Sequence, residues 1–165
     1  MIKNDQSYSV SIILPILNEI NSLKKTIKIL NKINVQKEYL IIYSERLTNN
    51  SVKKEIINLK KRNKNISYKS QIRPFVGGAI DLGIKLAKKN YIVIMASDLE
   101  TNPNELKNMI KVSKKNPKCI ISADRWISQK GFYNYGIIKF LANFFFQKLI
   151  KIFFKYKILD FTFAY

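Results

Sequence analysis

Two carboxylates, Asp98 and Glu100, stand two residues apart in the stretch Met95-Ala96-Ser97-Asp98-Leu99-Glu100-Thr101-Asn102-Pro103, directly after the apolar run Tyr91-Ile92-Val93-Ile94. Such a run reads as a parallel strand buried on both faces, and open α/β sheets collect ligands at the carboxyl ends of such strands. Acids placed there suit a metal ion or a diphosphate. Hard carboxylate oxygens hold Mg²⁺ or Mn²⁺, which need only one or two protein carboxylates besides the substrate phosphates. An ordinary loop also carries Asp and Asn, so the spacing alone leaves both readings open.

Other chemistries are excluded by residue type. The chain has no His and one Cys, which rules out Ser-His-Asp and Cys-His nucleophile systems, a tetrahedral zinc site and an internal disulfide. Cys119, in Lys118-Cys119-Ile120-Ile121, is expected as a buried core thiol on a strand. Neither a G-x-G-x-x-G fingerprint nor a G-x-x-x-x-G-K-[ST] phosphate loop is present.

The elements that must position the acids alternate along the chain. Val10 to Leu14 reads as a strand ended by Pro15. Leu23, Ile27, Leu30 and Ile33 then recur at helical spacing behind a cap at Asn21 or Ser22. Tyr39 to Tyr43 is a second strand. The polar turn Glu45 to Asn50 leads into a helix carrying Val52, Ile56 and Leu59, and Ile66 to Ser70 is a third strand. Gly77-Gly78 punctuates the entry to a helix with Ile80, Ile84, Leu86 and Ala87, ahead of the Tyr91 to Ile94 strand. Asn102-Pro103-Asn104-Glu105 resembles a capping box and predicts a helix from about Pro103 to Lys115; Ile120 to Ala123 is expected as one more strand. Strands separated by helices of this length predict an α/β fold with a mostly parallel, right-handed βαβ sheet flanked by helices. In such a sheet the turns Pro15 to Glu19, Ser44 to Thr48 and Asp98 to Glu100 leave one edge and form a pocket.

At 165 residues and 47% hydrophobic composition, the chain is long enough for one domain with a real core. Lys+Arg 30 against Asp+Glu 11, formally +19, favours phosphate in some form: nucleic acid, anionic lipid or a phosphorylated small molecule. The excess is mostly Lys dispersed along the chain, and a dispersed charge says less than a clustered one. The basic residues are not interleaved with aromatics as stacking platforms would require, so nucleic acid ranks low. The polar start, Met1 to Ser9, lacks the pattern of a signal peptide, and a cytoplasmic protein is expected.

The residues also carry a family resemblance. Ser11-Ile12-Ile13-Leu14-Pro15-Ile16-Leu17-Asn18-Glu19 resembles the opening strand and P-x-x-N-E loop of family 2 inverting glycosyltransferases. Tyr91 to Pro103 is similar to the strand and D-x-D-L loop of their polyprenyl- or dolichyl-phosphate sugar-transferring branch. Phe75-Val76-Gly77-Gly78-Ala79 matches the glycine-containing segment upstream of that strand. Order and spacing agree from Val10 to the C-terminus. The resemblance implies a nucleotide-sugar-binding glycosyltransferase A-type, Rossmann-like fold over residues 1–130, followed by a basic helical segment and the start of an acceptor region over 131–165.

It also implies roles. Pro15 and Glu19, with Asn18 between them, match loop positions that hold the nucleotide, and Gly77 and Gly78 belong to the same donor site. Glu45 falls on the second of two acids that contact the base, the first being Ser44 here. Asp98 matches the second Asp of the D-x-D element that binds a divalent metal (Mg or Mn) and the donor diphosphate; Glu100 is a further ligand position, and Ala96 replaces the first Asp. In Ser122-Ala123-Asp124-Arg125-Trp126, Arg125 matches an Arg for the acceptor phosphate, with Lys139 a weaker second choice. A guanidinium suits that role because its planar fork bonds two oxygens at once. An Arg that covers Trp126 or pairs with a surface acid is the alternative.

From Tyr135 to Leu159 the pattern is a basic amphipathic helix: Ile138, Leu141, Phe145, Leu149 and Ile152 keep to one face, and Lys148, Lys151 and Lys155 to another. It is expected either in a membrane interface, as peripheral contact on the cytoplasmic face, or packed on the domain's own core. Repeated Lys argues against a membrane span. Asp160-Phe161-Thr162-Phe163-Ala164-Tyr165 is similar to the family's D-x-T-x-x-[FY] motif, which normally continues with Arg, so a shortened chain is expected.

The function expected from these residues is transfer of a sugar from a nucleotide diphosphate sugar to a polyprenyl phosphate, with inversion. Alternatives are a soluble saccharide acceptor, or a catalytically impaired nucleotide-sugar-binding remnant.

Overall fold

The computed structural model describes residues 8–123 and 136–153. Its first unit, Met1–Lys111, is built on four parallel strands: β1 (Ser9–Ile16), β2 (Gln36–Ser44), β3 (Ile66–Gln71) and β4 (Tyr91–Ile94), in spatial order β3-β2-β1-β4. The crossovers carry helices α1 (Ile20–Asn31), α2 (Asn50–Arg62) and α3 (Phe75–Leu86). The expected α/β class, a parallel sheet flanked by helices, is what forms.

Alternation of side chains along the strands explains the layers. On one face Ile13, Leu40 and Ile42 pack with Ala79 of α3, and Leu82, Leu86 and Ile94 lean on the same cluster. The close seat of α3 depends on Gly83, where an added Cβ would overlap the Ile13 side chain. Strand β1 is flanked by β2 and β4, and Val10, Ile12, Ile13 and Leu14 have no solvent exposure. Helix α1 buries Leu23, Ile27 and Leu30, and α2 buries Val52 and Ile56, at the expected helical spacing.

The amino end of the sheet is closed by a polar junction. The Ser11 hydroxyl donates to Glu38 Oε1 at 2.6 Å, and the backbone N–H of Lys88 donates to the same oxygen at 2.8 Å. Lys89 N–H reaches Ser11 Oγ at 3.0 Å, so the turn into β4 is pinned to β1 and β2.

Several expectations are corrected. Pro15 does not end β1, which runs to Ile16. The Ile13 carbonyl accepts from Met95 N–H (3.1 Å) and the Pro15 carbonyl from the Ser97 hydroxyl (2.7 Å), so both carbonyls face β4. Amide and carbonyl of one strand residue share a side, and the N–H that Pro15 lacks would point where β4 has already left. Strand β4 is not buried on both faces. It has one neighbour among the described residues, β1, and Ile92 is 44% exposed. Helix α1 begins at Ile20, with Glu19 in place of Asn21 or Ser22 as its N-cap residue. Helix α3 begins at Phe75, so Gly77 and Gly78 lie inside its first turn.

Asn102 caps as expected. Its side-chain oxygen accepts from Asn104 N–H at 3.1 Å, ahead of a 3-10 turn (Pro103–Glu105) and helix α4 (Leu106–Lys115). Residues 120–123 form no strand and Cys119 is exposed, which corrects the expected strand and core thiol. A short apolar run becomes a strand only where a neighbour takes its hydrogen bonds.

The second unit, Val112–Tyr165, contains α5 (Ile137–Phe153). Its predicted apolar face is on the outside: Ile138, Leu141, Phe145, Leu149 and Ile152 are 48–84% exposed. Asn143 and Gln147 are buried, with Gln147 Nε2 donating to Asn143 Oδ1 at 3.2 Å. Among the described residues no helix is long and apolar enough to cross a membrane.

Candidate functional site

The chain runs β1, β2, β3 to one side and then returns to place β4 on the other side of β1. Strand order therefore reverses between β1 and β4, and the crevice beyond their carboxyl ends is where open α/β sheets take ligands. The Pro15 to Glu19 loop and the Met95 to Glu100 loop both emerge there. They are tied together by the 2.7 Å bond from Ser97 Oγ to the Pro15 carbonyl.

In the first loop, the polar side chains shape the backbone. Glu19 Oε2 accepts from Leu17 N–H (2.9 Å) and Asn18 N–H (3.0 Å), and Asn18 Oδ1 accepts from Asn49 N–H (2.9 Å). Asn18 thereby joins this loop to the turn after β2. Two residues expected to touch nucleotide thus brace the loop that Pro15 begins.

The turn after β2 is a small closed ring. Thr48 N–H donates to the Ser44 carbonyl at 3.0 Å, Leu47 N–H to Ser44 Oγ at 3.2 Å, and Ser44 N–H to Thr48 Oγ1 at 3.2 Å. Ser44, where the resemblance implies an acid, is consumed in that ring. Glu45 projects from it and is gripped by Lys53 of α2, whose Nζ donates to Glu45 Oε1 (2.6 Å) and to the Glu45 carbonyl (2.7 Å). The hydrogen bond from Lys53 holds the Glu45 carboxyl below the ordinary Glu value. Tyr43 beside it is pushed up, first by burial and then by the Glu45 charge.

At the end of β3, Gln71 Nε2 donates to the Phe75 carbonyl at 3.2 Å. Phe75 has φ 62° and is largely exposed. Gly78 lets the Arg73 carbonyl approach, since a Cβ there would overlap it, whereas Gly77 faces open space. Of the two glycines, Gly78 is the one the backbone requires. Asp81 of α3 lies 2.9 Å from Lys85 Nζ and 3.5 Å from Arg73, and the Lys85 bond first, then the two positive charges, hold its carboxyl low.

In the loop after β4, Asp98 Oδ1 accepts from Glu100 N–H at 2.9 Å, and Leu99 between them has φ 69°. Asp98 and Glu100 are exposed and make no ion pair among the described residues. The hydroxyl of Thr101 is buried without a hydrogen-bond partner among those residues. No group of three or more His, Cys, Asp or Glu side chains suited to a metal occurs among them. Two exposed carboxylates and an unsatisfied hydroxyl on one loop nevertheless fit a hard cation that takes its remaining ligands from water and phosphate.

Arg125 lies outside the described residues, as does the motif over 160–165. Lys139 is exposed on α5 in the second unit. Lys53, Asn49 and Ser97 are the participants that motif reading missed. Each acts through a partner distant in sequence, or by a hydroxyl-to-carbonyl bond that no local pattern announces.

With this geometry in view, the model of the family described as glycosyl transferase family 2 matches residues 11–165. The chain belongs to glycosyl transferase family 2. The match begins at Ser11 on β1 and takes in all four turns described above. Among solved structures, this family 2 chain is similar to a mannosyltransferase, PcManGT from Pyrobaculum calidifontis, in complex with GDP-Man and Mn²⁺. The TM-score is 0.54 at 15% identity, over 63% of this chain and 32% of that one, so the likeness is one of fold. The family 2 chain thus spans about a third of that protein's length. No curated protein matches it in sequence.

Proposed function

We propose that this family 2 chain transfers a sugar from a nucleotide diphosphate sugar to a polyprenyl phosphate, with inversion at the anomeric carbon. The observation that carries the donor half is the junction of the Asp98 loop with the Pro15 loop at the strand-order reversal between β1 and β4. The PcManGT neighbour, held with GDP-Man and Mn²⁺, supports a donor of the same chemical class.

In this reading the nucleotide lies against Pro15 and the loop braced by Asn18 and Glu19, with the base toward Glu45 and the first turn of α3, at Gly77 and Gly78, near the diphosphate. Asp98 and Glu100 would hold a divalent metal, which when bound neutralises charge on the leaving diphosphate. Arg125 binds the acceptor phosphate, with Lys139 the weaker candidate. A lipid phosphate is ionised at neutral pH and needs no general base, in keeping with a chain that has no His. The chain's contribution is then orientation and electrostatic stabilisation. Residues 1–130 carry the donor site, and 131–165 the basic helix and the start of the acceptor region. The exposed apolar residues of α5, together with Lys148 and Lys151, support peripheral contact with anionic lipid on the cytoplasmic face.

Isothermal titration with GDP and UDP, with and without Mn²⁺, tests the donor site. Metal-dependent binding of one of them is expected, and binding of neither removes the proposal. A second reading rests on Ala96: a nucleotide-sugar-binding remnant whose metal site has lost an acid. Nucleotide binding with no sugar transfer to short-chain polyprenyl phosphate would favour it.

A further inference from the structure

We propose that Lys53 is a positioning residue that aims the Glu45 carboxylate at the donor base, an inference that rests on the donor reading above. Glu45 follows Ser44, the last residue of β2, which lies opposite Gln71 at the end of β3. Its side chain is 63% exposed, and an exposed glutamate left to itself samples many rotamers. Ordering a flexible side chain on binding weakens a contact by about 2- to 10-fold in affinity.

Lys53 removes that cost before the ligand arrives. One ammonium holds both the carboxylate, at 2.6 Å, and the backbone carbonyl of the same residue, at 2.7 Å. Side chain and main chain are therefore fixed relative to each other. Lys53 is itself restrained: its side chain is only 20% exposed and its Nζ lies 6.0 Å from the centre of the Tyr43 ring. An ordinary surface pair orders two mobile chains and gains little. Here one partner is already packed in place and the other is the group that needs aiming.

The pairing also sets what Glu45 can recognise. A carboxylate kept ionised accepts hydrogen bonds and donates none, and Lys53 and the Tyr43 hydroxyl occupy two of its roughly four acceptor positions. It therefore suits a nucleoside diphosphate whose base offers a ring N–H, as guanine and uracil do.

The test is titration of the full chain with GDP and with UDP in the presence of Mn²⁺, for the wild type, Glu45→Ala, Lys53→Met, Lys53→Arg and the double variant Glu45→Ala/Lys53→Met. Lys53→Met is expected to weaken the better ligand by about 3- to 10-fold, and Lys53→Arg to restore most of that loss. The double variant should bind no more weakly than Glu45→Ala alone, because Lys53 acts through Glu45. Should Lys53→Met fail to fold, Lys53→Gln, which keeps a donor for the Glu45 carbonyl but drops the charge, carries the same expectation. If Glu45→Ala weakens binding while Lys53→Met binds like the wild type, or if the two losses add fully, the positioning role is overturned and base reading by Glu45 stands. If Glu45→Ala leaves affinity unchanged, both fall. A wild-type chain that binds neither nucleotide removes the donor site, and this proposal with it.

Discussion

Position 96 is where the proposed metal loop departs from the D-x-D pattern it resembles. Ala96 stands two residues before Asp98, where the family places an acid, and Asp98 spends one oxygen on the Glu100 amide. Charge count tunes affinity for hard cations. Ala96→Asp is therefore expected to raise Mn²⁺ affinity by about tenfold, the lower end of what supporting groups around a metal contribute. Titration of Mn²⁺ into the nucleotide-bound variant measures it, and an unchanged affinity would mean that this side chain does not reach the cation. The Asp98 loop was legible because a carboxylate at a strand end is a local pattern. The bracing roles of Asn18 and Glu19 were not, because Asn49 meets Asn18 only after β1 and β2 pair. Two non-glycine residues with positive φ, Phe75 and Leu99, also lie on this edge and were invisible in advance. Such backbone costs of order 1 kcal/mol or more each and persists only where the surroundings impose it.

At the scale of elements, periodicity served where a partner was guaranteed. The runs in β1 to β3 and the helical spacings of α1 and α2 predicted the elements to within a few residues, because each apolar face had a facing layer. Residues 120–123 carried a similar apolar signal but pair with no strand among the described residues, and the prediction failed. The packing of α3 makes Gly83→Ala destabilising: the new methyl overlaps Ile13, and overpacking of this kind costs about 1–3 kcal/mol. A lower thermal midpoint with unchanged far-ultraviolet dichroism is the expected result. Strand β2 also confers a pH dependence. Burial raises the Tyr39 phenol well above its ordinary 10.0, and its hydroxyl donates to Asn31 Oδ1 at 2.8 Å. With the folded value raised, its stabilisation is complete below pH 10.0 and is lost as pH climbs toward the folded value. Lys37, lowered by burial, opposes this only up to its ordinary 10.5. Stability should therefore fall above pH 10.5, and Tyr39→Phe should flatten that fall at a cost of about 1 kcal/mol near neutrality. Urea unfolding of both proteins at about pH 9 and about pH 11.5 checks the sign.

For the whole molecule, the +19 charge was plain from composition but its target was not. Lys148 and Lys151 share helix α5 with exposed apolar residues, so the proposed lipid contact is tested there. Each lysine near an anionic bilayer is worth about 1 kcal/mol, roughly fivefold in partitioning. The double variant Lys148→Glu/Lys151→Glu is expected to lose flotation with phosphatidylglycerol vesicles by well over tenfold while its nucleotide affinity is unchanged. Equal flotation of both proteins would assign the binding to the dispersed charge.

The proline in β1 has one more consequence. In a parallel ladder, the bonds following that from Met95 N–H to the Ile13 carbonyl would be from residue 15 N–H to the Met95 carbonyl, and from Ser97 N–H back to residue 15. Pro15 cannot make the first, and the Ser97 hydroxyl has taken the place of the second. Strand β4 thereby lacks the next ladder bond along β1, in keeping with its end at Ile94. The hydrogen that Pro15 lacks coincides with the point where the loop carrying Asp98 leaves the sheet.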